Sequence, residues 1–161
     1  MKRCTLFLLI AVLLFAGLGS LSAQNAEANI LGIEIGQVTA WNFQADDFGT
    51  SDLLGLHFGM TDDMEVGVVF LSGDGGNMPM FSLLRMSFFL QEVFGLHVST
   101  GNSAGNVAGG IGAFTVPVRR EFDETLTTSL RISLDYLNPD FSGVSITEGI
   151  LGLGISGKIS F

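Results

Sequence analysis

From Leu31 to the C-terminus, apolar residues tend to recur at every second position, the signature of strands whose successive side chains point to opposite faces. The last segment shows it most clearly. Leu151, Leu153, Ile155, Ile159 and Phe161 share one face with Gly157, and Gly152, Gly154, Ser156, Lys158 and Ser160 share the other. Leu126 to Tyr136 repeats the pattern, with Arg131, Ser133 and Asp135 on the polar side. Leu54–Met60, Met64–Leu71 and Phe94–Ser99 alternate in the same way. Leu31–Phe43 is less regular, Met80–Phe89 is apolar on both faces, and the Gly- and Ala-rich Val107–Val116 leaves its faces unassigned. The pattern predicts eight strands and no helix of useful length after the first two dozen residues. Thr61-Asp62-Asp63 reads as a tight turn, and Ser72–Asn77 and Gly101–Asn106 read as polar glycine loops. Pro79, Pro117 and Pro139 are expected at strand ends or in loops, where a missing N–H does least harm.

Composition decides which face meets what. The chain has 161 residues, 47% hydrophobic and only 14% charged, with 22 Gly and 3 Pro. A soluble domain carries about 25% charged residues, so this chain has too few for an ordinary wet surface. Its apolar content is too high for disorder, and no apolar run reaches the ~20 residues of a spanning helix. A membrane-like composition without a spanning helix points to a transmembrane β-barrel. The polar faces are mostly Gly, Ser and Thr, which suit a narrow interior. Six charges fall on them: Glu34, Glu65 and Asp135 against Arg85, Arg131 and Lys158. Three acids balance three bases, as a closed interior requires, because buried charge is costly unless paired. With both termini on one side, Trp41, Phe43, Phe70 and Tyr136 gather near one rim, and Phe58, Phe88, Phe94 and Phe161 near the other, as two aromatic girdles.

The N-terminus has the three-part plan of a secretory signal. Lys2 and Arg3 precede an uncharged run, Leu6 to Leu18, and Leu21-Ser22-Ala23 offers cleavage after Ala23. The expected division is a signal peptide over 1–23 and a barrel domain over 24–161. Cleavage there removes Cys4, the single cysteine, so no disulfide is expected.

The terminal strand Leu151–Phe161, apolar at alternate positions and ending in Phe, resembles the C-terminal signal of bacterial outer-membrane barrels. Together with the leader and eight strands, the mature chain resembles the small OmpX-like class and the OmpA-like transmembrane barrel. The likeness is architectural. It implies an all-β, eight-stranded antiparallel up-and-down transmembrane barrel in the bacterial outer membrane, surrounded by its lipids. It also implies insertion by the barrel-insertion machinery through the strand ending in Phe161. In such barrels the lumen is closed by a polar network, here Glu34, Glu65, Arg85, Arg131, Asp135 and Lys158.

Chemistry is sparse. The acidic balance, net charge −9, argues against nucleic acid. Neither clustered metal ligands nor a phosphate-cradling loop is found, so no metal and no cofactor are expected. His57 and His97 read as hydrogen-bonded interior groups. His97-Val98-Ser99 puts an imidazole and a hydroxyl on one face, faintly similar to the His-x-Ser of outer-membrane lipid A deacylases. That family has the motif near the last hairpin with an acid on the following strand, whereas here it falls on the fifth strand and the sixth has no acid. No catalytic activity is expected. Four outer loops, Gln44–Ser51, Ser72–Pro79, Gly101–Asn106 and Asn138–Glu148, carry Asp46, Asp47, Asp74, Asp140 and Glu148 and no base. They are the candidates for an extracellular partner. The expected role is structural or surface-interacting, as a monomer. The alternatives are a narrow or gated channel for small solutes and a soluble periplasmic eight-stranded barrel that holds an apolar ligand inside.

Overall fold

The computed structural model describes residues 31–73, 77–91, 93–122, 126–141 and 148–161. The proposed signal segment, 1–23, lies outside the described residues, as does Asp74. Eight strands follow one another: β1 Leu31–Asn42, β2 Asp47–Thr61, β3 Met64–Gly73, β4 Phe81–Gln91, β5 Phe94–Ser103, β6 Asn106–Glu121, β7 Thr127–Asn138 and β8 Ile150–Ser160. Each pairs antiparallel with the next, and β8 returns to β1, so the sheet closes into a barrel in simple chain order. The closing seam runs from Gly32 opposite Ser160 to Asn42 opposite Ile150. Two backbone bonds between Leu31 and Phe161, 2.7 and 3.3 Å long, fasten its end. Closure removes the free edges that would otherwise template aggregation.

The alternation becomes an inside and an outside. Ile35 is 64% exposed, and Leu54, Leu56, Phe58, Leu84, Met86, Leu96, Val98, Ile111 and Ile155 also face outward. Glu34, Glu65, Arg85, Arg131 and Asp135 are buried. This is the inverse of a soluble barrel that encloses an apolar cavity. The register also settles the two ambiguous segments. In β4, Phe81, Leu83, Arg85 and Ser87 are buried while Ser82, Leu84, Met86 and Phe88 are exposed. In β6, Ala108, Gly110 and Phe114 are buried and Val107 and Ile111 are exposed.

Several boundaries differ from the sequence expectation, and the strands are longer. β2 starts at Asp47 and β6 runs to Glu121, so Asp47, expected in a loop, belongs to a strand, as do Asp52, Arg119 and Arg120 beyond the apolar segments. Polar residues extend a ladder past the apolar belt because backbone pairing does not require apolar side chains. Gln37 and Thr39 of β1 lie opposite Asp52 and Thr50 of β2, an exposed polar patch on the outer wall. Pro117 lies inside β6, at the register shift between Thr115 and Val118, where a bulge leaves no ladder bond for a proline to break. The loop expected at Gly101–Asn106 shrinks to Ala104-Gly105, with φ of 50° and 93°. Trp41 is buried edge-on against Phe48, ring centroids 4.7 Å apart, so it packs within the first hairpin and is no girdle residue.

Candidate functional site in the barrel lumen

The interior has two storeys. One end of the barrel holds Leu31, Phe161 and the turns after β2, β4 and β6; this is the terminal end. The other holds the connections after β1, β3, β5 and β7; this is the loop end. The storey toward the terminal end is charged. Arg131, 2% exposed, stands at its centre, on β7. Its Nη2 donates to Glu65 of β3, and its Nη1 is 3.7 Å from Glu34 of β1. Glu65 also accepts from Lys158 of β8, and Glu34 accepts from Ser156 Oγ. His57 of β2 bridges the two carboxylates, 2.6 Å from Glu34 and 3.5 Å from Glu65.

A second cluster lies around Asp135. His97 Nε2 meets one carboxylate oxygen, and Arg85 Nη2 is 3.5 Å from that same oxygen. Ser133 Oγ donates to the other at 2.6 Å. Phe114 joins the clusters. The Arg131 guanidinium carbon lies 4.3 Å from its ring centroid, and the His97 ring stacks on it at 5.9 Å and 14°. Cation–π attraction is stronger where water is excluded. The structure therefore brings together all six ionic residues expected inside and adds His57, His97, Ser133, Ser156 and Phe114. Parity already put both histidines on the inner face. Their partners were invisible because the register that brings Glu34 and Glu65 to His57, and Asp135 past β6 to His97, cannot be read along the chain.

The glycines explain how large polar side chains fit in so narrow a tube. His57 is registered opposite Gly67, where an added Cβ would lie 2.6 Å from its Nδ1. Gly55, on His57's own strand, leaves the same 2.6 Å to Nε2. His97 faces Gly112, and Phe114 faces Gly95, and a Cβ at either glycine would overlap the ring opposite. A small residue across from each large one makes the inner surfaces interdigitate.

The storey toward the loop end is apolar, which the sequence expectation of a polar, small-residue lumen missed. Val38, Ala40, Leu53, Val69, Leu71, Phe81, Leu83, Ala108, Leu137 and Ile150 pack into one buried cluster. Met78, from the connection between β3 and β4, joins it and is 1% exposed. Gly49 and Gly73 admit it: a Cβ on Gly49 would lie 2.9 Å from Met78 Cβ, and one on Gly73 would strike the Met78 carbonyl. Neighbouring Asn77 is pinned to the first hairpin. Its amide donates to Asp47 Oδ2 and the Phe48 carbonyl, both at 3.2 Å, and its carbonyl accepts from Asn42 Nδ2 at 2.7 Å. Met78 thus corks the loop end, while Lys158, its side chain 14% exposed, carries the ionic storey toward water at the terminal end.

His97 and Ser99 are both buried in this lumen. The acid beside His97 comes from β7, one strand further along the wall past Gly112 of β6, and not from an adjacent strand. Ser99 Oγ points to the Gly110 carbonyl at 3.5 Å. Among the described residues, no group of three or more His, Cys, Asp or Glu could hold a metal ion.

No protein-family model and no curated protein matches the chain. Among solved structures, one from the de novo design of transmembrane β-barrels matches with a TM-score of 0.50. It is 11% identical in sequence and covers 84% of this chain and 99% of its own. At that identity the likeness is one of fold: this chain is an all-β, eight-stranded, closed antiparallel barrel similar to a designed membrane barrel.

Proposed function

We propose that this protein is an integral barrel of the bacterial outer membrane, a monomer with a sealed lumen and a structural or surface-interaction role without catalytic turnover. One observation carries the reading: an apolar wall faces outward around a buried ionic interior. In water that arrangement would expose the apolar outer face to solvent, whereas in a bilayer acyl chains cover it and the interior charges are met by one another. The dimensions agree. The 11 residues of β8, at ~3.3 Å per residue and a tilt of about 40°, rise through roughly 25 Å, the height of the apolar band of such barrels. The Leu6–Leu18 run and the terminal Phe161 support export and recognition by the insertion machinery. The loop end, lined with acids, then faces outside.

The lumen speaks against free conduction. A solute would have to pass a corked apolar storey and then a fully packed ionic one. The same packing keeps His97 and Ser99 away from membrane lipid, so Ser99→Ala is expected to leave lipid composition unchanged. Fractionation combined with gel migration before and after boiling tests the membrane reading. The protein should stay with membranes through carbonate and salt, and its folded form should migrate differently from the boiled form. Release into carbonate without detergent would end the reading. Stepwise conductance of the purified protein in planar bilayers would favour the channel.

A further inference from the structure

The apolar belt on the outer wall has an uneven edge toward the loop end. Near the terminal end apolar residues face outward around the barrel, among them Leu31, Phe58, Phe88, Val118, Leu130 and Ile159. Ile35, Leu54 and Phe70 stand in one registered row across β1, β2 and β3, and each is the last outward apolar residue before a polar one. Beyond that row come Gln37 and Thr39 on β1, Asp52 and Thr50 on β2, and Ser72 on β3, all exposed. The Gln37 amide donates to Asp52 at 3.5 Å. The polar band continues through Ser82 of β4 and Thr100 and Asn102 of β5. Trp41 and Phe48, further along β1 and β2, cover each other edge-on, with Trp41 buried, and so do not prolong the belt.

Across the closing seam the edge lies elsewhere. Ile35 is registered opposite Gly157, and β8 then turns three more apolar residues outward on its way to the loop end: Ile155, Leu153 and Leu151. Gln37 therefore lies opposite Ile155, and Thr39 opposite Leu153. On the far side of β8, Leu134 and Tyr136 of β7 pair with Leu153 and Leu151 and widen the apolar column. At ~3.3 Å per residue and a tilt of about 40°, each outward residue advances about 5 Å along the barrel axis, so the edge steps by roughly 10 Å at the seam. Acyl chains cannot hydrogen-bond Gln37, Asp52 and the threonines, and water cannot cover Leu151 and Leu153 without cost. A bilayer meets both demands by changing its local thickness, which lipids do at modest cost. We propose that headgroups and water of the loop-end leaflet descend onto β1 and β2 at Gln37, Thr39, Thr50 and Asp52, while acyl chains climb β8 as far as Leu151, so that the bilayer is thinned on one side of the seam. The proposal rests on the membrane-barrel reading and adds to it where the bilayer surface crosses the wall.

Nitroxide labels on single cysteines test it, in the full chain carrying Cys4→Ser and folded into phosphatidylcholine vesicles. Collision with dissolved oxygen reports acyl surroundings, and collision with an aqueous nickel chelate reports water. Thr39→Cys and Leu153→Cys, registered opposite each other, form the decisive pair, with Asp52→Cys and Leu151→Cys as the second. The labels on β1 and β2 are expected to collide several-fold more with nickel than those on β8, which should favour oxygen. A Gln37→Leu/Thr39→Val/Asp52→Leu variant labelled through Thr50→Cys should move that label toward oxygen, because acyl chains can then climb β1 and β2 as well. Heat-dependent migration shows which variants are folded; should the triple variant not fold, the single labels decide. Three results would overturn the proposal: oxygen-dominated labels at Thr39→Cys and Asp52→Cys, nickel-dominated labels on both sides of the seam, or labels on β1 and β2 shielded from both reagents, which would mean that a protein surface covers them. Labels at Leu54→Cys and Ile155→Cys separate this from the membrane reading. Oxygen dominance there upholds that reading whichever of the three results appears, and nickel dominance there ends both.

Discussion

Arg131 shows how much one side chain carries here. It is buried, lies against Glu34 and Glu65, and sits over the Phe114 ring. Removing it leaves two carboxylates sharing a dry site with only Lys158 and His57 to compensate. Breaking a buried ion pair on one side costs about 3–5 kcal/mol. Arg131→Ala is therefore expected to destabilise the barrel by that order in urea unfolding from vesicles. Arg131→Lys should recover part of the loss, since it restores charge but not the planar fork. The inner glycines make a second residue-scale prediction. Gly112→Ala would push a methyl group into His97 Nε2, the atom that meets Asp135. A loss of about 1–3 kcal/mol is expected from overpacking in the same assay. Gly157→Ala is the control, because an added Cβ there meets nothing within 4 Å.

At the scale of elements, the hairpin between β5 and β6 contains a local conflict. Ala104 and Gly105 both take positive φ, the type I′ geometry that favours Asn-Gly. Asn102 Oδ1 already supports the turn by accepting from the Gly105 N–H at 3.1 Å. An L-residue without a polar side chain costs about 1–2 kcal/mol in the left-handed region. Ala104→Asn should therefore stabilise the barrel by about 1 kcal/mol, read as a higher urea midpoint with an unchanged slope. The cork is an element-scale feature too, since Met78 comes from a connection and not from a strand. Met78→Ala would leave a cavity beneath Gly49 and Gly73 and is expected to cost about 2–5 kcal/mol. Strand alternation cannot announce such a residue. Period two identifies wall positions, whereas an inserted loop side chain obeys no period.

For the whole molecule, the deciding property is which side of the wall is wet. Ile155 is 53% exposed at the middle of β8. In a bilayer, Ile155→Lys puts a charge against acyl chains and should cost about 2–4 kcal/mol. In a water-soluble barrel the same change would be neutral or helpful. Refolding yield and urea midpoint in vesicles read the difference, with Thr50→Lys near the loop rim expected to be nearly silent.

The alternating side chains by themselves determined the strand count, the face of most strands and the balanced set Glu34, Glu65, Arg85, Arg131, Asp135 and Lys158, because strand geometry is local and charge neutrality can be counted along a chain. Met80 to Phe89 and Val107 to Val116 lacked a readable face for the same reason: residues apolar or tiny on both sides carry no contrast, and only pairing with β3, β5 and β7 oriented them. The tertiary structure alone decided that Asp135 meets His97 over Gly112 of the intervening strand, that glycines lie opposite the large inner side chains, and that Met78 and an apolar storey close one end. Those contacts join residues far apart in sequence, and their geometry exists only once the sheet has curled shut and fixed the stagger between its strands.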